Sequence, residues 1–157
     1  MPDVVSPETR SRMMSGIRGR DTQPELVVRR FLHRQGFRFR LHVAGMPGRP
    51  DLVLARYRTA IFVHGCFWHR HPGCRYATLP ATRREFWETK LEGNATRDAR
   101  DTAALEAVGW RVIVVWECDV RRGEIGWLPD AIRRYGDGWA RSVRRVADGD
   151  RQRGTPR

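Results

Sequence analysis

A chain of 157 residues, 40% hydrophobic and 31% charged, can bury one ordinary core without disulfide staples. Its 30 Lys and Arg against 18 Asp and Glu leave a net charge of +12, which points away from basic partners and toward a polyanion, nucleic acid first. No apolar run is long enough to cross a bilayer, and the opening MPDVVSPETRSRMM lacks the apolar stretch of a secretory signal, so a cytoplasmic protein with no membrane role is expected.

In chain order, SPETRSRMMSGIRGR begins with Ser6 as an N-cap and reads as a basic helix or arm within residues 1–20. DTQPELVVRRFLHRQG carries a capping box in Thr22 and Glu25, an apolar face and a terminal Gly36, so it predicts a helix. FRFRLHV alternates apolar and basic residues, the pattern of a half-exposed strand. DLVLARY and TAIFVHG predict a hairpin with its turn near Tyr57 and Arg58.

Thr82 and Glu85 form a second capping box before a long charged helix reaching Val108, with Gly93 and Asn94 as a point of interruption and Gly109 as its stop. WRVIVVWE is apolar enough for a strand buried on both faces. From Leu128 on, Ile132, Tyr135, Trp139, Val143 and Val146 recur at helical spacing, broken into two helices by Gly136 and Gly138. The expected product is a single domain over residues 1–147, a mixed sheet flanked by helices, followed by a disordered tail over 148–157.

Residues 63–74, VHGCFWHRHPGC, hold three of the five histidines and two of the three cysteines around Phe67 and Trp68. Clustered thiols and imidazoles in a chain that cannot pair all its cysteines favour metal ligation over a disulfide. Cys66, His71 and Cys74 supply three tetrahedral ligands, and Cys118, just past a predicted strand, supplies a fourth. Such a Cys₃His set leaves no open position and is structural, with zinc as its ion; His69 is the alternative to His71 as nitrogen ligand. Three unrelated buried thiols are the competing explanation, but a loop built around Pro72 and Gly73 is a poor core pattern.

A hairpin turning at Tyr57 and Arg58 brings Asp51, at the start of one strand, near His64, at the end of the next. A carboxylate beside His64 and His69 suits Mg²⁺-assisted phosphodiester cleavage, with the carboxylate on the metal and a neutral histidine taking a proton from water. Glu25 has a structural explanation in its capping box, Asp51 one as a turn residue, and no catalytic part is expected of His33 or His42.

TRSRMMSGIRGRDTQPE, PGRPDLVL, FVHGCFWHRHPGC, TRREFWETKLEGN, RDARD and LEAVGWRVIVVWEC run collinearly from about Thr9 to about Cys118, and together they resemble the very-short-patch repair (Vsr) DNA mismatch endonucleases. The segment after about Arg121 shows little likeness. The resemblance implies an α/β fold like that of restriction endonucleases, related to the PD-(D/E)XK group. It also implies a Mg²⁺-dependent nick on the 5′ side of the thymine in a T:G mismatch left by 5-methylcytosine deamination.

Position by position, the resemblance makes Asp51 and the Val63 backbone carbonyl the Mg²⁺ ligands and His69 the general base, with His64 and Glu25 in support. It gives Cys66, His71, Cys74 and Cys118 structural Zn²⁺, and makes Phe67, Trp68 and Trp87 aromatics that wedge into the duplex beside the mismatch. Double-stranded DNA with a T:G mismatch is then the substrate of a monomer at the bacterial nucleoid, linked to a cytosine-5 DNA methyltransferase and to mismatch-repair proteins. Two features depart from the family pattern: Val63 stands where a well-known member has Thr, and HPGC is one residue longer than an HHC loop.

The main competing reading is a zinc-stabilised module that binds mismatched DNA without cutting it. A His-Me finger nuclease is disfavoured because no second HNH-like ligand set follows the loop, and a redox protein because there is no C-x-x-C pair.

Overall fold

The structure, a computed structural model, describes Ser6, residues 8–9 and residues 20–134. Ser6 Oγ accepts the Thr9 N–H at 3.2 Å, the N-cap bond its position predicts. The rest of the basic arm, the helices expected from Tyr135 onward and the tail lie outside the described residues. Among the described residues no helix is long and apolar enough to cross a membrane.

Helix α1 spans Gln23–Arg34. Thr22 caps it by accepting the Glu25 N–H at 3.4 Å, but the return bond of the box lands one residue early, with Glu25 Oε2 accepting the Asp21 N–H at 2.9 Å. The helix ends in paired bonds from Gly36 N to His33 O and from Phe37 N to Leu32 O. Those bonds hold Phe37 to the helix end, and His42 leaves extended geometry with φ 44°, so β1 shrinks to Arg40–Leu41 instead of the seven residues its alternation suggests.

Strands β2 (Leu52–Leu54) and β3 (Thr59–His64) form the expected antiparallel hairpin, joined by a 3₁₀ turn at Ala55–Tyr57 and by Arg58 in left-handed geometry. Helix α2 runs unbroken over Arg84–Ala107, through Gly93 and Asn94. Its N-cap is Arg83, with φ 54° and no side-chain cap bond, so the box expected at Thr82 does not open it. Gly109, at φ 87°, closes it with bonds from Gly109 N to Glu106 O and from Trp110 N to Leu105 O, a turn that a side chain beyond Cα would strain.

Strand β4 (Arg111–Trp116) returns parallel to β3, and α3 (Glu117–Arg122) follows at once. The sheet order is β1-β2-β3-β4, antiparallel but for the last pair, as expected of a mixed sheet. The strand buried on both faces is β3; β4 alternates, with only Ile113 and Val115 buried. Among the described residues β4 has a strand on one side only, and the α2 middle above it is polar, so Val112 and Val114 stay half-covered.

Two cores lie across the sheet. Ile61 and Val63 of β3 pack with Val28 and Leu32 of α1 and with Ile125, Leu128 and Ile132. Ala60 and Phe62 pack with Leu105 of α2 on the other face. By the two-residue period of a strand, His64 falls on the α2 face at the open end of β3.

Candidate active site and metal cluster

Asp51, one residue before β2, sits opposite the end of β3, where its Oδ2 accepts the Val63 N–H at 2.7 Å. A cleft of about 970 Å³ opens there, and Glu25, Asp51, Val63, His64 and His69 all line it. The structure thus brings Asp51, Val63, His64 and His69 together with Glu25 from α1.

Their environments differ. Burial lifts the Asp51 carboxyl to about 7; the Val63 N–H opposes the rise, the Glu25 carboxylate adds to it, and the Arg29 guanidinium reduces it. His64, only 8% exposed, is pushed down to about 3 by burial and by neighbouring His69, so its ring is neutral at working pH. The two imidazoles stack, 3.8 Å between centroids and 5° between planes. On the far side His69 Nδ1 lies 2.6 Å from Asp98 Oδ2. A carboxylate only accepts, so Nδ1 carries a proton, and in the neutral ring that tautomer leaves the lone pair on Nε2.

Asp98 was not foreseen from sequence, although a signal exists. Trp87, Leu91 and Leu105 form the buried stripe of α2, and Asn94 and Asp98 fall on that stripe at helical spacing. Asn94 Nδ2 donates to the Trp68 carbonyl at 3.2 Å, so the middle of the helix is tied to the loop by polar bonds where a core helix would bury leucines. Polar residues on an apolar stripe mark such a place.

A second unforeseen group surrounds Glu25, which is 2% exposed. Arg29 Nη2 lies 2.7 Å from Asp21 Oδ1, 3.0 Å from Glu25 Oε2 and 3.0 Å from His42 Nε2. The donor atoms of Asp21, Glu25 and His42 are close enough together for a metal ion, but the guanidinium already stands among them. His42, expected to play no part, lines the same cleft, and it and Asp21 both hold left-handed backbone. His33 is exposed in the last turn of α1.

Cys66, His71, Cys74 and Cys118 converge with every ligand atom within 4.8 Å of the others. His71 Nδ1 lies 3.6 Å from Cys66 Sγ and 3.4 Å from Cys118 Sγ, and it is His71, not His69, that joins the thiols. Burial, with the neighbouring Cys118 and Cys74 sulfurs, pushes the Cys66 thiol up to about 12; a bound cation reverses that preference by stabilising the thiolate. Three sulfurs and one imidazole nitrogen form a cluster capable of holding a soft or borderline metal ion.

Phe67, Trp68 and Trp87 form an edge-to-face group, 5.1–6.1 Å between centroids. Trp87 is its backing at 9% exposure; Phe67 and Trp68 are half-buried, and the neighbouring Phe86 is 44% exposed. Lys90 Nζ hangs over the group, 5.9 Å from the Trp68 and Trp87 ring centres and 5.8 Å from that of Phe86.

Fold and site define an α/β protein of strongly basic composition, with a cluster capable of holding a metal ion and a carboxylate–histidine cleft, an arrangement fitted to a phosphodiester. The sequence profile described as DNA mismatch endonuclease Vsr matches residues 2–75. The type II nicking enzyme V.XorIIP of Xanthomonas oryzae pv. oryzae is 47% identical over 137 residues, 87% of this chain and 98% of that protein. The DNA mismatch endonuclease Vsr of Escherichia coli is 48% identical over 124 residues, 79% of each chain, and the type II nicking enzyme V.NmeAIP of Neisseria meningitidis is 41% identical over 125 residues, 80% of this chain and 89% of that one. The chain belongs to the Vsr family of DNA mismatch endonucleases and type II nicking enzymes.

Proposed function

We propose that this protein nicks one strand of duplex DNA on the 5′ side of the thymine in a T:G mismatch, opening very-short-patch repair at deaminated 5-methylcytosine. The observation that carries the reading is the convergence of Asp51, the stacked His64–His69 pair and Glu25 on one cleft in a member of this family.

The donor set fits a hard divalent ion. Asp51 is a half-buried carboxylate whose charge is held at a cost, and Val63, which donates its N–H to that carboxylate, has a backbone carbonyl to offer as a second oxygen ligand. Mg²⁺ held there by Asp51 and Val63 supplies Lewis acidity at the scissile phosphate. His69 takes the proton from the attacking water at Nε2, while Asp98 fixes the tautomer and orients the ring. His64, kept neutral, braces His69 through the stack without adding a charge. Arg29 pairs with Glu25 beside the site and fixes the direction of its carboxyl.

Zn²⁺ fits the Cys₃His cluster, which closes the loop carrying His69. A restriction-endonuclease-like fold accords with a mixed sheet that presents Asp51 at a strand end between helical layers. Phe67 and Trp68, backed by Trp87, form the wedge; unstacking a base step costs a few kcal/mol and least where pairing is already weak, so a wedge favours mismatches. Double-stranded DNA is the partner, and a cytosine-5 methyltransferase is the source of the lesion.

The test is a gel assay with Mg²⁺ on two labelled duplexes that differ only in T:G against C:G at one position, set in recognition sequences of cytosine methylases. One nick 5′ of the mismatched thymine, lost with EDTA and absent from the paired duplex, is the expected result. Tight T:G binding with no cutting in any context would instead make the protein a mismatch-binding module.

A further inference from the structure

The metal cluster and the histidine pair are joined through a side chain that neither site uses. Trp116 ends β4 and is the register partner of His64 across the parallel β3–β4 pair. Two residues on, Cys118 enters the cluster. The Trp116 indole lies flat against the cluster's His71, 4.1 Å between centroids and 9° between planes, and meets His64 at 5.4 Å and 68°. His64 stacks on His69, and His69 is bonded to Asp98. An unbroken row of rings therefore runs from the cluster to the proton acceptor.

We propose that Trp116 is a positioning residue, its indole carrying the fixed geometry of the Cys/His metal cluster to the His64–His69 pair. This rests on the reading of that pair as catalytic. The physical reason lies in stiffness. The loop from Gly65 to Cys74 is held by turn bonds, His69 N to Gly65 O and His71 N to Cys66 O, and such turns alone leave the rings free to rotate about χ1 and χ2. His64 has a face against His69 and an edge to the indole, so its rotation is blocked from two sides. His71, stacked on the indole, would be fixed by a metal ion in the cluster and would hold the indole in turn. A flexible aliphatic side chain at position 116 fills the volume but gives two imidazoles nothing planar to register against.

The experiment compares wild-type holoprotein with Trp116→Leu and Trp116→Phe. Metal content and melting temperature are read first, then the imidazole NMR signals of His64 and His69, then kcat and KM on the T:G duplex. Trp116→Leu is expected to keep its metal and to hold KM within about twofold while kcat falls on the order of tenfold or more, as when an orienting partner of a functional histidine is lost. Its His64 and His69 signals should shift or broaden, and Trp116→Phe should recover most of both.

Unchanged histidine signals and kcat in Trp116→Leu would overturn the proposal. If the leucine variant loses its metal, Trp116→Phe decides. Metal and rate lost together in that variant would mean that Trp116 only holds the cluster, and would overturn the coupling. A wild-type protein that does not nick, yet whose His64 and His69 signals respond to Trp116→Leu, would fail the nuclease reading and leave the coupling standing.

Discussion

The Asp51 carboxylate accepts the Val63 N–H at 2.7 Å, a bond that crosses the hairpin from the residue before β2 to the fifth residue of β3. The same bond that sets the carboxylate's direction also fixes the strand whose Val63 and next residue, His64, line the cleft. Position and charge are therefore coupled: Asp51 sits where the cleft needs it and pays in desolvation.

Asp51→Asn should abolish nicking and yet stabilise the metal-free protein. A carboxyl raised to about 7 in the fold favours the folded state most below its unfolded value near about 4, and that contribution is lost as pH rises through 7. In chelator at pH 8 the Asn variant should melt several degrees above wild type, with the gap closing toward pH 4. Mg²⁺ should raise the melting temperature of wild type alone. Equal melting of the two proteins at pH 8 would remove the burial argument.

Asp98→Asn keeps the shape of the acceptor but frees His69 to adopt either tautomer. The expected result is a fall in kcat of about 10- to 100-fold, the range for losing an orienting partner of a functional histidine, with KM and melting little changed. Single-turnover nicking at saturating enzyme measures this, and a wild-type rate would detach Asp98 from the chemistry.

Removing Arg29 strands Glu25, which is 2% exposed, without its cation. Arg29→Met should cost about 3–5 kcal/mol at neutral pH, as breaking a buried pair from one side does. Adding Glu25→Gln removes the stranded charge and should recover part of that loss in urea unfolding. A double variant no more stable than Arg29→Met would assign Arg29 a packing role.

Cys118 is buried, and its sulfur lies 3.4 Å from His71 Nδ1. Cys118→Ser should lower metal content and destabilise the fold by more than about 4 kcal/mol, the class of effect that follows loss of a metal site. Unfolding by a strong chelator should mimic it in wild type. A variant with unchanged zinc content and melting would dissolve the four-ligand assignment.

Local chemistry was legible where a residue acts on its own neighbours. Thr22, Gly36 and Gly109 bound helices because capping bonds span only three to six residues, and the β2–β3 hairpin follows from two apolar runs across a short turn. The Cys66–His71–Cys74 spacing declared itself for the same reason, since three ligands lie in nine residues. The capping box at Thr82 misled because its pattern is local but competes with the left-handed turn at Arg83. The length of β1 misled because alternation cannot register that Phe37 remains bonded to the preceding helix.

By itself, then, the sequence determined the charge, the helix stops, the hairpin, the cysteine–histidine loop and the family, all carried by residue type and short spacing. Only the tertiary structure decided which histidine meets which partner. Asp98 reaches His69 across 29 positions and His71 meets Cys118 across 47, while Trp116 stands beside His64 only because β4 returns parallel to β3. Those pairings depend on where a 24-residue helix and a crossover strand come to rest, and that is set by the burial of Leu91, Leu105, Ile113 and Val115, residues that take no part in the chemistry they align.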